Sequence, residues 1–186
     1  MLFRSTRYDL ISSPQFIGIE NYVEMFKDEL FIKSLLNTIK YVIVTVPLKL
    51  AFALFIASIL NFKIKGVGIF RTAYYLPSIL GGSVAISVLW RFLFADNGLV
   101  NIMLKMLHLP TASWMGDQKY ALFTIGLLSV WQFGSSMVIF LAALKNIPNT
   151  LYEAARIDGA SKVRMFFSIT FPLLTPVIFF NFIMQM

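Results

Sequence analysis

Long apolar runs constrain this chain more than any other feature. Ser34 to Leu60 carries only scattered polar residues, and it exceeds the roughly 20 residues a helix needs to cross a hydrocarbon core. Further runs follow at about Ile69–Phe94, Ala121–Leu144 and Met165–Met186. In lipid each backbone N–H and C=O must be satisfied within its own segment, so such runs predict helices. The expected fold is all-α: a polytopic transmembrane bundle with spans at 34–60, 69–94, 121–144 and 165–186. Residues 1–33 form an external or interfacial segment before it. Composition agrees, because 58% of the 186 residues are hydrophobic and 13% charged, where a soluble domain carries roughly a quarter charged residues.

The formal charge of +7 does not point to nucleic acid. The basic residues are scattered, and positive charge beside apolar spans sets topology. There is no cysteine, hence no disulfide, thiolate nucleophile or cysteine metal site. His108 is the one histidine and has no second ligand near it, so it reads as a surface residue. Gly66-Val67-Gly68 lacks the lysine of a phosphate-binding loop. With no paired intramembrane carboxylates either, an enzyme has nothing to stand on.

Several positions within the runs invite two readings. Ser12-Ser13-Pro14 is a turn signal, and Tyr22, Met25, Phe26, Leu30 and Phe31 have helical spacing, predicting a short interfacial helix over Asn21–Phe31. Pro47 should kink the first span. Lys49, near its middle, either snorkels towards water or faces the bundle interior or a wet path. Gly81 and Gly82 read as packing positions where helices approach closely, with Trp90 and Arg91 as interfacial anchors. Beyond the turn at Asp96-Asn97-Gly98, Leu99, Ile102, Met103, Met106 and Leu107 form the stripe of a short interfacial helix. Gln132, in the third run, must find a hydrogen-bond partner, which either helix packing or a substrate path supplies.

Between the third and fourth runs lies a charged island, Asn149 to Pro172. Thr150 and Glu153 have the spacing of a capping box, predicting a helix from about Leu151. Asp158-Gly159 should end it, since glycine accepts the positive φ of a helix terminus, and Ser161 should cap the next helix. A short polar helix between membrane spans suits docking.

The same residues carry a resemblance. Glu153-Ala154-Ala155, Gly159, Ile169 and Pro172 resemble the EAA loop of ABC importer permeases, with Phe171 where leucine is usual. Ile157-Asp158-Gly159-Ala160-Ser161 is similar to the carbohydrate-uptake branch. The resemblance implies a permease subunit that binds no cofactor of its own, ATP being used by partner subunits. The implied partners are ATP-binding subunits, a second permease subunit, an external solute-binding protein, membrane lipid and a sugar. Glu153, Ala154, Ala155, Asp158 and Gly159 would dock the ATPase: Glu153 by pairing with a base, the alanines by keeping the helix slim, Gly159 by aiming it. Glu153 also keeps its capping-box reading. Trp131, Gln132, Ser135, Gln185 and Lys49 would line the substrate path, where stacking, amides and hydroxyls suit a sugar, although ordinary packing explains each of them as well. Permeases for glycerol phosphate or polyamine, and a non-transporting scaffold, are the alternatives.

Loop charges orient the spans. Lys63, Lys65 and Arg71 face no acid in their loop, a net +3. The Lys145–Arg164 loop holds four bases against Glu153 and Asp158, a net +2, and the loop from Ala95 to Tyr120 is neutral. The two positive loops therefore belong in the cytoplasm, and the membrane is expected to be the inner membrane of a bacterium or archaeon. The same rule places Met1–Lys33 outside with nothing upstream to translocate it. The chain is thus expected to be a fragment, and Phe16–Tyr22 resembles the segment that follows the first span of such permeases. An in-frame stop codon upstream, with no apolar segment before Met1, would refute this.

Overall fold

The computed structural model describes residues 18–62 and 66–186, together with the backbone of two short strands, Thr6–Arg7 (β1) and Gln15–Phe16 (β2). The turn expected at Ser12–Pro14 and the loop lysines Lys63 and Lys65 lie outside the described residues. The chain divides into two compact units, Met1–Lys40 and Tyr41–Met186.

In the first unit β1 and β2 pair antiparallel, Thr6 opposite Phe16. Helix α1 spans Glu20–Lys27, shorter than the helix expected over Asn21–Phe31. Asp28 ends it: its backbone is extended, and its carboxylate accepts from the Leu30 N–H at 2.9 Å. A side chain that caps the next helix competes with continuation of the first, so Leu30 and Phe31 belong to α2, Glu29–Leu60.

α2 is 32 residues long and runs helically through Pro47. In the second unit its buried stripe is Thr45, Val46, Lys49, Leu50, Ala53, Ala57 and Leu60, the three-to-four spacing of one helix face. Ile43, Val44, Leu48, Phe52 and Phe55 are exposed, as suits a surface in contact with lipid. The inner face joins a core with Phe133, Met137, Phe140, Leu141, Leu144 and Leu174.

The second and third runs do not form the continuous helices expected of them. The second divides into α3, Val67–Leu80, and α4, Val84–Leu93, bent by 96°. Gly81 and Gly82 give the break no helix-forming side chain, and Ser83 starts α4 by accepting from the Ile86 N–H at 3.4 Å. The third divides into α6, Gln118–Trp131, and α7, Gly134–Lys145, bent by 44°. Between the pairs lies α5, Leu99–Met106, the expected short helix, with its apolar stripe exposed. His108 is exposed as expected.

After α8, Asn149–Ile157, the chain re-enters the bundle through α9, Lys162–Met165, a π-helical turn, Phe166–Thr170, and α10, Phe171–Gln185. The Phe171 N–H bonds to the Phe166 carbonyl, five residues back, immediately before Pro172, which has no N–H to give. Among the described residues two helical stretches, Glu29–Leu60 and Lys162–Gln185, are long and apolar enough to cross a membrane, or four if each bent pair is one span.

The loop before α6 is held by a residue with no evident signal in the sequence. Asn101 is 2% exposed. Its amide donates to the Asp96 and Ala112 carbonyls at 3.0 and 2.9 Å and accepts from the Ala112 N–H and Trp114 Nε1 at 3.3 and 2.9 Å. Asn101→Ala is expected to cost about 2–4 kcal/mol, because four backbone or ring partners lose a buried bond. A thermal melt of the purified protein with no downward shift would contradict this reading.

Candidate functional site

The two helix breaks face each other and are stitched together. Where α6 stops, the Gln132 carbonyl loses its helical partner and accepts instead from Ser78 Oγ at 3.0 Å. The same hydroxyl accepts from the Ser135 N–H at 3.0 Å, so one side chain of α3 satisfies both sides of the α6/α7 break. In return Gln132 Nε2 donates to the Gly81 carbonyl in the α3/α4 break at 3.3 Å. Each break supplies what the other lacks. This is the condition under which irregular backbone survives at membrane depth.

Glycine makes this approach close enough. A Cβ on Gly134 would lie on the Tyr74 carbonyl, 2.8 Å from Tyr75 Cα and 2.9 Å from Ser78 Oγ. A Cβ on Gly81 would collide with the Gln132 carboxamide, whereas one on Gly82 would meet nothing within 4 Å. The packing role expected of the Gly81-Gly82 pair therefore belongs to Gly81 alone.

α7 carries a second polar link one residue further on. Ser136 is fully buried, and its hydroxyl accepts from Gln185 Nε2 at 3.2 Å. Gln185 Oε1 accepts from Lys49 Nζ at 2.7 Å. Lys49 is 7% exposed, so it points into the bundle and does not snorkel. Among the described residues its ammonium has this amide as its one hydrogen-bond partner.

Two hydrogen-bonded sets thus make up a polar seam: Lys49, Gln185 and Ser136 across α2, α10 and α7, and Ser78, Gln132, Gly81 and the Ser135 N–H across the α3/α4 and α6/α7 breaks, the two meeting at the adjacent residues Ser135 and Ser136 of α7. Depth follows from helix lengths. α3 has 14 residues and α7 has 12, about 21 and 18 Å at 1.5 Å per residue. From helix ends at a membrane face, the breaks at their far ends would lie that far into a core about 30 Å thick, well inside the hydrocarbon.

Of the five expected path residues, Lys49, Gln132 and Gln185 enter this seam through their side chains, and Ser135 through its backbone N–H alone. Trp131 does not: it stacks towards Trp90 at 6.1 Å between ring centroids, in an aromatic cluster with Phe94 and Trp114. Trp90, expected as an interfacial anchor, donates its Nε1–H to the Thr124 carbonyl at 3.1 Å. Two seam-side residues give no sign in the sequence. Ser78 reads there as one small residue among many, and Asn181, 1% exposed, donates to the Val177 carbonyl at 3.0 Å while its own Oδ1 is buried without a partner among the described residues.

The charged island is the second site. α8 begins at Asn149, and Pro148, in extended conformation, holds the capping position with no side-chain cap. The capping box expected of Thr150 and Glu153 is therefore not formed. Proline's fixed φ suits the residue that enters a helix, and starting there places Thr150 inside the first turn. Glu153 is exposed and has no hydrogen bond or ion pair among the described residues.

The other end forms as expected. Gly159 has φ 72°. Its N–H bonds to the Arg156 carbonyl at 3.0 Å, and the Ala160 N–H to the Ala155 carbonyl at 2.9 Å. These are the two bonds of a Schellman closure. Ser161 Oγ then caps α9 from the Arg164 N–H at 3.3 Å. Tyr152 Oη and Thr170 Oγ1, 2.8 Å apart, tie α8 to the π-helical turn at the foot of the last span. Ala154 and Asp158 are exposed and Ala155 half-buried, so α8 offers a slim face with an uncommitted carboxylate.

Residues 29–186 match the family described as binding-protein-dependent transport system inner membrane component. Over 182 residues, 97% of this chain and 59% of the relative, the chain is 53% identical to the probable ABC transporter permease protein YesP of Bacillus subtilis (strain 168). It is 37% identical over 177 residues, 94% of this chain and 59% of the relative, to the sn-glycerol-3-phosphate transport system permease protein UgpA of Yersinia pestis. Among solved structures, a chain of a bacterial alginate ABC transporter in complex with an alginate pentasaccharide-bound periplasmic protein superposes with a TM-score of 0.78 at 25% identity. That match covers 91% of this chain and 60% of the other. The chain therefore spans about three-fifths of the length of each protein it is compared with here. With apolar helices in this order and a family match from Glu29 to the last residue, the chain belongs to the inner membrane components of binding-protein-dependent transport systems.

Proposed function

We propose that this chain is the membrane-spanning part of a permease subunit in an ATP-driven importer, translocating a sugar or oligosaccharide delivered by an external solute-binding protein. Hydrolysis takes place in separate ATP-binding subunits, and a second permease subunit completes the path. The membrane is the cytoplasmic membrane of a bacterium or archaeon, with α8 on the cytoplasmic side by the distribution of loop charge. The observation that carries this reading is α8 itself: a short polar helix with a rigid closure and an unengaged glutamate, tied by Tyr152 to a membrane span. Movement imposed on α8 by an ATPase would pass through Tyr152 and Thr170 to α10. The alginate transporter and the glycerol phosphate permease, similar over most of this chain, support a solute rich in oxygen acceptors.

Glu153→Gln tests the docking role. Because no cap is lost, stability should change by less than about 0.5 kcal/mol, the range of an exposed substitution. ATP-dependent solute uptake in vesicles should nevertheless fall at least severalfold. Uptake equal to wild type would remove Glu153 from the docking surface.

The seam supports a solute path at mid-membrane, formed where helices are interrupted, as in transporters generally. Lys49 favours one solute chemistry over another. A buried ammonium held by a neutral amide attracts hydroxyl, carboxylate or phosphate oxygens and repels a cation, so glycerol phosphate remains the second reading and polyamine is disfavoured. Gln132→Leu should lower uptake, because the Gly81 carbonyl then loses its partner. Unchanged uptake would remove Gln132 from the path.

A further inference from the structure

Beside α8 the bundle holds a pocket of about 430 Å³ that neither the docking helix nor the seam accounts for. It lies between the end of α2, the start of α3, the end of α7 and the start of α8, whose Asn149 and Tyr152 line it. Arg71 and Lys145 supply two positive charges, Asn61 and Asn149 neutral polar groups, and Val67 and Ile147 apolar wall. Among the described residues no carboxylate lines it. Glu153 lines the adjoining cavity, which shares Tyr152 with this one, together with Arg156 and Lys162. Arg71 Nε is buried and has no hydrogen-bond partner among the described residues. A buried guanidinium nitrogen without an acceptor is costly to leave unmatched, and two cations with no acid between them ask for an anion.

The surroundings indicate which anion. Phe62, which lines the pocket, and Ile69 and Phe70, beside Arg71 in sequence, are 65%, 77% and 49% exposed. In a membrane-spanning chain such residues meet acyl chains. Arg71 and Lys145 sit one turn inside α3 and at the last residue of α7, the depth of a headgroup. We propose that this pocket is a binding site for an anionic phospholipid. Arg71 and Lys145 hold the phosphate diester, the asparagines hold headgroup oxygens, and the acyl chains lie along Ile69 and Phe70. Basic pockets between helices on the cytoplasmic side suit such headgroups. The inference rests on the orientation proposed above. The lipid would occupy the junction from which α8 must move, and so would influence how firmly α8 is coupled to the bundle.

The test uses the permease assembled with its transport partners in phosphatidylcholine nanodiscs, titrated with phosphatidylglycerol. Retained lipid is read by native mass spectrometry. Wild type should retain phosphatidylglycerol in preference to phosphatidylcholine. Arg71→Gln and Lys145→Gln should each weaken retention about fivefold, since a base near an anionic lipid contributes about 1 kcal/mol. Inorganic phosphate at millimolar concentration should not displace the lipid, because it gains nothing from the apolar wall. Equal retention of the two lipids, variants that retain phosphatidylglycerol like wild type, or displacement by inorganic phosphate would each overturn the proposal. If Arg71→Gln does not assemble, the exposed Lys145 carries the test alone. An α8 that labels from the external side instead would refute the orientation, which is a separate failure.

Discussion

Gly134→Ala is expected to remove most of the folded protein, whereas Gly82→Ala leaves it unchanged. The two substitutions add the same methyl group to two neighbouring breaks. At Gly134 the new Cβ would occupy the space of the Tyr74 carbonyl and lie 2.8 Å from Tyr75 Cα. Both are backbone atoms of α3, so no rotamer change relieves the contact and the helices must separate. Separation breaks both hydrogen bonds of Ser78, to the Gln132 carbonyl and from the Ser135 N–H. Overpacking costs about 1–3 kcal/mol, and each lost hydrogen bond about 0.5–1.5 kcal/mol more. The sum is a large share of a typical stability of 5–15 kcal/mol. At Gly82 the same methyl meets nothing within 4 Å. Yields of monodisperse protein that match for the two variants would show that the breaks are not held in contact.

Gly159→Asp is expected to spare the fold and abolish transport, with a loss of more than tenfold. The space around Gly159 is empty, so the cost within the chain is that of the left-handed backbone, about 1–2 kcal/mol. Asparagine visits that conformation readily and carries no charge, which makes Gly159→Asn the control. If α8 enters a cleft on an ATPase, a carboxylate beside Asp158 at its closure meets the partner's surface and fails there, while asparagine retains most activity. Equal losses in the two variants would place the effect in the backbone and count against docking.

What was legible in the sequence follows the range of the interactions. The closure at Gly159 and the cap at Ser161 depend on residues within a few positions and formed as the sequence predicts. Asp28 is equally local, yet the apolar spacing of Tyr22 to Phe31 concealed it, because spacing does not register one carboxylate competing for an N–H. The capping box failed for a related reason: Pro148 set the helix start two residues earlier than its spacing assumes.

The breaks at Gly81–Ser83 and Gln132–Phe133 depend on each other, through Ser78, Gln132 and Gly134, across more than fifty positions of sequence. Hydropathy reads both runs as unbroken, since the interruption lies in backbone geometry while the composition stays apolar. Position alone leaves Lys49 between two readings. Its partner Gln185 lies 136 residues away, and it decides between them. Ser78 acts through backbone groups, and Asn101 through backbone groups and the Trp114 ring N–H, which no motif records.

The most direct test of the account is whether α8 is the face on which an ATPase docks. Residues 1–186 contain no cysteine, so a single Ala154→Cys can be labelled with a membrane-impermeant maleimide without background from this region. Ala154 is exposed on α8. In inside-out vesicles the account predicts rapid labelling when the permease is expressed without its ATPase, and strong protection when the ATPase is present. Equal labelling in the two preparations, or labelling only in right-side-out cells, would contradict it.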